Sequence, residues 1–214
     1  FDDVNSSLTW QNPYTTINGW TAGVGFPTGQ GRMHLEPDNQ FHQVYASGGY
    51  NFGDTMRLTG DLSYGRATQD DAFLPYTINP VLAASVTQVL PRTSLDGTVD
   101  STYAALRFTA RPSTNFWWNA NYKFDHRDNK TPHDEYVYIG GDSLAQNTGV
   151  TSSFRRFNTP LSYSETRFRG DVGYRVADWL DASLVGEYRD IDRTYAEREE
   201  TDETNWTLNL RSNP

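Results

Sequence analysis

The chain of 214 residues carries 27 Asp and Glu against 18 Lys and Arg, a formal net charge of −9, so it lacks the basic face that duplex nucleic acid requires. Mean hydropathy is −0.71 and no apolar run approaches the roughly 18 residues of a membrane-spanning helix, which excludes helical membrane proteins. Cysteine is absent, which removes disulfides, Cys-ligated metal centres, thiol catalysis and C-x-x-C-H haem attachment, whereas 13 Tyr, 11 Phe and 6 Trp are too many for a disordered acidic chain.

The N-terminus, FDDVNSSLTW, shows no basic stretch followed by an apolar one, so no signal peptide is visible and the chain reads as mature or as a fragment. From there the dominant signal is period two, the periodicity of a strand with two chemically different faces. Eight such segments follow in order, near 3–10, 42–53, 56–66, 99–111, 115–127, 163–176, 179–190 and 204–212. In the fifth, Phe116, Trp118, Ala120, Tyr122 and Phe124 share one face, with Asn119, Asn121, Lys123 and Asp125 opposite.

The connections alternate in length. Short turns are predicted at 53–55, 112–114 and 177–178, all in turn-forming residues, and long loops at 11–41, 67–98, 128–162 and 191–203. The long ones hold Asn18-Gly19, Pro75, Pro80, Pro91 and Gly140-Gly141. Short turns at one end and long loops at the other describe an all-β, antiparallel outer-membrane β-barrel with periplasmic turns and extracellular loops.

The faces sharpen that reading. Of 37 even positions within the eight segments none is charged, where a patternless chain at 21% charge would place about eight, and an Arg or Lys facing mid-bilayer costs roughly 2–4 kcal/mol. The odd positions supply candidate lumen-facing partner contacts: Arg57, Asp61, Arg107, Arg111, Lys123, Asp125, Arg167, Arg169, Asp171, Arg175, Glu187 and Arg189. Even-face aromatics gather toward strand ends, as a lipid-facing girdle requires. Tyr50, Phe52, Phe108, Phe116, Trp118 and Tyr174 lie toward the turns; Trp10, Tyr64, Tyr122, Phe124, Tyr188 and Trp206 lie toward the loops. A soluble antiparallel sandwich also has one apolar face, but its core favours Val, Ile and Leu over Gly, Ala and end-placed aromatics.

Eight strands can close a small barrel whose interior side chains fill, yet the charges on the odd face fill so narrow a space poorly. The chain also stops at Asn213-Pro214 without the terminal aromatic residue usual in closing strands, so the expectation is four hairpins of a larger barrel.

Several segments are family-like: GRM at 31–33 with PDNQ at 37–40, RLTGDLSYGR at 57–66, QDDAFLPYTINP at 69–80, LPRTSLDG at 90–97, RDNKTP at 127–132 and DIDRTY at 190–195. Together these resemble the decaheme-associated outer-membrane proteins of the MtrB/PioB type. The resemblance implies a large barrel that sheathes a periplasmic multihaem (decahaem) c-type cytochrome and so lets electrons cross the outer membrane. On that reading 214 residues are part of the usual family length. The chain binds no cofactor itself, haem c sits on the partner cytochrome, and an extracellular multihaem cytochrome is a second candidate partner. Positive charge near the turns, at Arg57, Arg111, Arg175 and Arg211, would meet acidic or haem-propionate groups there, or be a solvated rim balanced by neighbouring acids.

No catalytic constellation is legible. His34, His42, His126 and His133 lack metal-ligand spacing, Gly23-Val24-Gly25 has no helix after it, and Asp70-Asp71 and Glu199-Glu200 lack a calcium-loop pattern. The competing functions are a porin-like solute channel, in which residues 81–86 of a long loop fold inward as a constriction, and a soluble carbohydrate-binding β-domain. A hydrolase lacks a nucleophile with a base.

Overall fold

A computed structural model of the chain describes residues 7–11, 15, 18–19, 29–78, 80–84, 86, 88–137 and 155–212. In chain order these form β1 (Ser7–Gln11), β2 (Gln30–His34), β3 (Gln40–Phe52), β4 (Met56–Gln69), a single helical turn α1 (Pro80–Ala83), β5 (Gly97–Ala110) and β6 (Phe116–Asn129). Then come β7 (Glu135–Val137), β8 (Arg155–Phe157), β9 (Tyr163–Ala177), β10 (Leu180–Arg193) and β11 (Glu200–Ser212). They divide into two units: Phe1–Gln40 with Thr68–Thr98 and Thr131–Pro160, and Phe41–Ala67 with Val99–Lys130 and Leu161–Pro214.

The second unit holds a seven-stranded sheet in the order β11-β10-β9-β6-β5-β4-β3. Its strands run 13 to 15 residues, longer than the roughly 9–11 that cross a bilayer as a tilted strand. Short turns join β3 to β4, β5 to β6 and β9 to β10. At 53–55 the chain reverses through Gly53, whose φ of 67° suits a residue without Cβ. Past Ala110, the last residue of β5, Arg111 N–H bonds the Thr55 carbonyl of the neighbouring turn at 2.7 Å and Pro112 begins the turn at 111–115. Between β9 and β10 only Asp178 and Trp179 intervene, with a register shift at Leu180/Asp181. β3 and β11 are the outer members, each with one edge unpaired among the described residues, so the sheet is open.

The first predicted strand does not join this sheet. Residues 7–11 pair instead with 30–34 as a separate two-stranded ladder, in register from Ser7↔His34 to Gln11↔Gln30. The five described residues extend about 17 Å, and residues 3–6 of the predicted segment lie outside the described ones. Trp10 accordingly lies outside the sheet, its indole over Gly31. The expected eight strands and four hairpins become, in the sheet, three hairpins and a seventh strand.

The first unit is made largely of the long connections, and it has contacts of its own. β7 pairs with β8, Ala72 bridges Ser94, and Phe73 meets Tyr136 edge-on at 5.7 Å. Arg92 Nε donates to Asp134 at 2.5 Å, and Asn158 Nδ2 donates to the Pro132 carbonyl at 2.6 Å. Val137 is buried against Tyr76 and Val86, and burial raises the Tyr136 phenol pKa above its usual value. Within the segment expected to act as a constriction, Pro80–Ala83 is the helical turn and Val86 packs in this cluster. The remaining predicted loop residues, 12–14, 16–17, 20–28, 79, 85, 87 and 138–154, lie outside the described ones.

One close approach locks β6 to β9. A Cβ at Gly173 would lie 2.1 Å from the Trp117 ring, so the indole lies flat on the glycine backbone, an aromatic covering a strand glycine. Gly173→Val should therefore destabilise the refolded protein by about 1–3 kcal/mol, read as a lower urea midpoint at unchanged m-value.

Candidate functional site

The candidate site is the pair of faces of the seven-stranded sheet. Strand geometry alone sends alternate side chains to opposite sides, and the register carries that parity across strands. Leu106 pairs with Tyr122, Tyr122 with Phe168, Phe168 with Tyr188 and Tyr188 with Thr204: even partners even throughout.

The even face is apolar and uncovered. Val44, Tyr50, Leu62, Leu106, Val172, Leu184, Trp206 and Leu208 are 48–74% exposed, whereas the buried hydrophobic residues among those described are Ala110, Val137 and Ile191. A sandwich would hide these side chains. Aromatic contacts run along the turn side of this face: Tyr50 to Phe52 at 4.8 Å, Phe52 to Phe108 at 6.4 Å, Phe108 to Trp118 at 4.6 Å. Phe116 is in register with Tyr174 on the same side. Toward the loops, Phe124 stacks on His126 at 5.9 Å and Trp206 lies over Gly186. Tyr64 is half exposed there, and Tyr188 donates its hydroxyl to Asp202 at 2.9 Å.

Charge returns to the even face only beyond this band. Arg66 and Lys130 both reach Asp100, at 2.7 and 2.9 Å, and Asp128 lies 3.5 Å from Lys130. The Asp100 carboxylate beside it holds the Lys130 ammonium above its usual pKa. The uncharged stretches 102–110, 116–124 and 180–188 each span about nine residues, roughly 30 Å along a strand and some 23 Å once tilted by about 40°, close to the ~25 Å apolar band of outer-membrane barrels.

The tilt can be read from where the charges begin. On β5 and β6 they begin at the paired Asp100 and Asp128, on β10 and β11 at the paired Asp190 and Asp202. The row through Asp190 crosses Thr166 and Phe124 to Ala104, so the boundary slides roughly four residues over three strand steps, a slope of roughly 40°. The turn ends slide the same way, from Ala110↔Trp118 to Leu180↔Ala177. A band that drifts in step at both ends is a slab of constant thickness crossed by tilted strands.

The odd face carries the sequence-predicted polar residues, and the structure joins many of them. Lys123 Nζ lies 3.2 Å from Asp125 and 3.8 Å from Glu165. Arg189 Nε donates to Glu165 at 2.7 Å and its Nη1 lies 3.6 Å from Glu203. Arg167 Nε donates to Glu187 at 2.9 Å, and Arg169 reaches the other Glu187 oxygen at 3.4 Å. Arg175 meets Asp181 at 3.3 Å, and Asn119 donates to Asp171 at 2.8 Å. Asp61 accepts from the Tyr45 hydroxyl at 2.7 Å. Arg107 donates to the neutral Asn121 at 2.9 Å, and Arg111 to the Thr114 carbonyl at 3.4 Å. Arg57, Arg107 and Arg111 have no carboxylate within ion-pair distance among the described residues, and all three lie on the turn side. Tyr45 and Glu203 escaped sequence reasoning. Parity marks both as odd, but Tyr45 is not a charge, and residue 203 falls in the predicted loop 191–203, which the structure shortens to 194–199.

The odd face is thus a polar surface in which most of the charged residues are ion-paired within it, and the even face is apolar along its band. Among the described residues no three His, Asp or Glu side chains converge on a metal site.

Comparison with known proteins places this geometry. The family model for the outer membrane beta-barrel porins MtrB/PioB matches residues 1–214. The chain is similar to the "Outer membrane protein MtrB" of Shewanella baltica (strain OS185), 27% identical over 99% of its length, and it spans 28% of that relative.

Leu184→Arg, at the middle of the even face, should cost roughly 2–4 kcal/mol in refolding into lipid vesicles, while Thr109→Arg on the odd face should cost under about 1 kcal/mol. Urea titration of vesicle-refolded protein measures both; equal costs would exclude lipid contact by the even face.

Proposed function

Since this chain belongs to the MtrB/PioB family of outer-membrane β-barrel porins, we infer that it supplies part of the wall of a sheath around a multihaem c-type cytochrome, and that electrons cross the outer membrane through that cytochrome. The tight turns are then periplasmic and the long connections extracellular. The observation that carries this reading is the chemistry of the odd face: a broad, charged surface opposite a lipid-facing one, suited to a large polar partner.

These 214 residues contain no cysteine, so this segment offers no thioether attachment for haem c, and on this reading the haem sits on the partner chain. What the wall supplies is a closed hydrogen-bonded backbone that keeps lipid away from the cytochrome, and charge complementarity that orients it. Pairs such as Arg175 with Asp181 offset each other's charge, so they contribute hydrogen-bonding capacity rather than net attraction. Arg57, Arg107 and Arg111 supply the net positive field, near the periplasmic mouth where a periplasmic partner would enter.

A porin-like channel is the second reading. It is favoured by the same self-neutralised pairs, which a water-filled lumen also solvates well.

Extraction of the full-length protein from outer membranes in mild detergent separates the two. A c-type haem spectrum with a C-x-x-C-H-rich chain at about one-to-one stoichiometry is the expected result for the sheath. A colourless barrel that passes small solutes in liposome swelling would overturn it in favour of the pore. In the sheath case, the double charge reversal Arg57→Glu with Arg111→Glu should lower recovery of the haem chain about tenfold at low salt, with the effect shrinking as salt rises.

A further inference from the structure

The odd face is polar along most of its length, but its loop end breaks the rule. Leu161, Tyr163, Ile191 and Tyr195 gather there around a cavity of about 420 Å³, with Arg127 and Arg193 beside them. Ile191 forms the floor and is 4% exposed, whereas Leu161 and the two tyrosines are 38–51% exposed. An apolar floor serves no purpose on a surface that only needs to be wetted.

The cavity walls are held rigidly. Thr194 N–H donates to the Ser162 carbonyl at 3.0 Å and Ser162 N–H donates to the Thr194 hydroxyl at 2.8 Å, extending the β9–β10 pairing past its last ladder residues. Arg193 N–H closes the next turn on the Glu199 carbonyl at 2.8 Å. Inside that turn Tyr195 stands at a φ of 57°, a left-handed conformation that a bulky residue adopts at a cost. The fold thus holds a tyrosine beside this cavity against its backbone preference.

The charges nearby differ in kind. Glu165 is already neutralised, by Arg189 at 2.7 Å and Lys123 at 3.8 Å. Arg127 donates from Nη1 to the Leu161 carbonyl at 2.9 Å, and Arg193 from Nη1 to the Thr201 hydroxyl at 3.1 Å. Both guanidiniums therefore bond only neutral acceptors among the described residues, keeping donors and a full positive charge for an anion. Tyr163 donates its hydroxyl to Asp125 at 3.2 Å, which fixes its ring at the cavity edge.

We propose that this cavity is a binding site for a compact organic carboxylate with an aromatic or branched apolar body. The apolar floor and phenol rings take the body, and Arg127 and Arg193 take the carboxylate as charge-assisted hydrogen bonds. The site depends on the local geometry of β6, β9 and β10 and not on what fills the rest of the lumen.

Equilibrium dialysis of the full-length protein in detergent, with and without any co-purifying chain, against 2-naphthoate and its neutral analogue 2-naphthamide tests it. The carboxylate should be retained above empty micelles and about tenfold better than the amide, and Arg127→Gln and Arg193→Gln should each reduce its affinity about tenfold. Retention equal to that of empty micelles, equal binding of the amide, or undiminished binding by both variants would overturn the proposal. Arg127 also ties down the Leu161 carbonyl, so if Arg127→Gln fails to show the heat-modifiable gel mobility of a folded barrel, Arg193→Gln decides alone. Absence of a haem chain would sink the sheath reading and leave this measurement unaffected.

Discussion

A strand in hydrocarbon must pair every backbone N–H and C=O with another strand, because no water is there to take them. The sheet answers that demand from β3 to β11, and the other features are consequences of it. Once the backbone is tied into ladders, parity is inherited: Leu106, Tyr122, Phe168 and Tyr188 must face the same way, and so must Arg107, Asn121, Arg169 and Glu187. One face can then be stripped of charge and the other loaded with it. Among the described residues, the outer edges on β3 and β11 are where the same demand is unmet, and the chain spans 28% of its curated relative.

The charged face is organised by how ions are stabilised when half exposed. Individual pairs such as Arg175 with Asp181 contribute little in water, about 0–1 kcal/mol. Their arrangement matters more than their strength. Around Glu165 and Glu187 the cations are matched by carboxylates from neighbouring strands, whereas Arg57, Arg107 and Arg111 are not. In the proposed sheath, a surface neutral in its middle and positive toward the turn end would draw an acidic partner to that end without trapping it along the wall.

Much of this was legible beforehand because period two is a local signal. The uncharged even positions, the odd-face charges from Arg57 to Arg189, and the tight reversal at Gly53 all follow from residues within one strand or turn of each other. The long connections were legible only as loops. Their short strands β7 and β8 and the Val137 cluster join residues such as Tyr76 and Val137 that are far apart in sequence and carry no periodic signature. The segment 3–10 misled because alternation reports a two-faced strand, not which strand it pairs with.

The sequence by itself determined that this chain is all-β, that one face of its strands bears no charge for about nine residues at a time, and that the other is polar, because side-chain alternation is a property of the extended backbone and needs no partner. Only the tertiary structure decided the order of the strands, the four-residue drift that tilts them by roughly 40°, which arginines find a carboxylate, and the apolar cavity at Tyr163 and Tyr195. Those depend on register between strands separated by up to about thirty residues of loop, and register is set by pairing energies summed across the sheet rather than by any single segment.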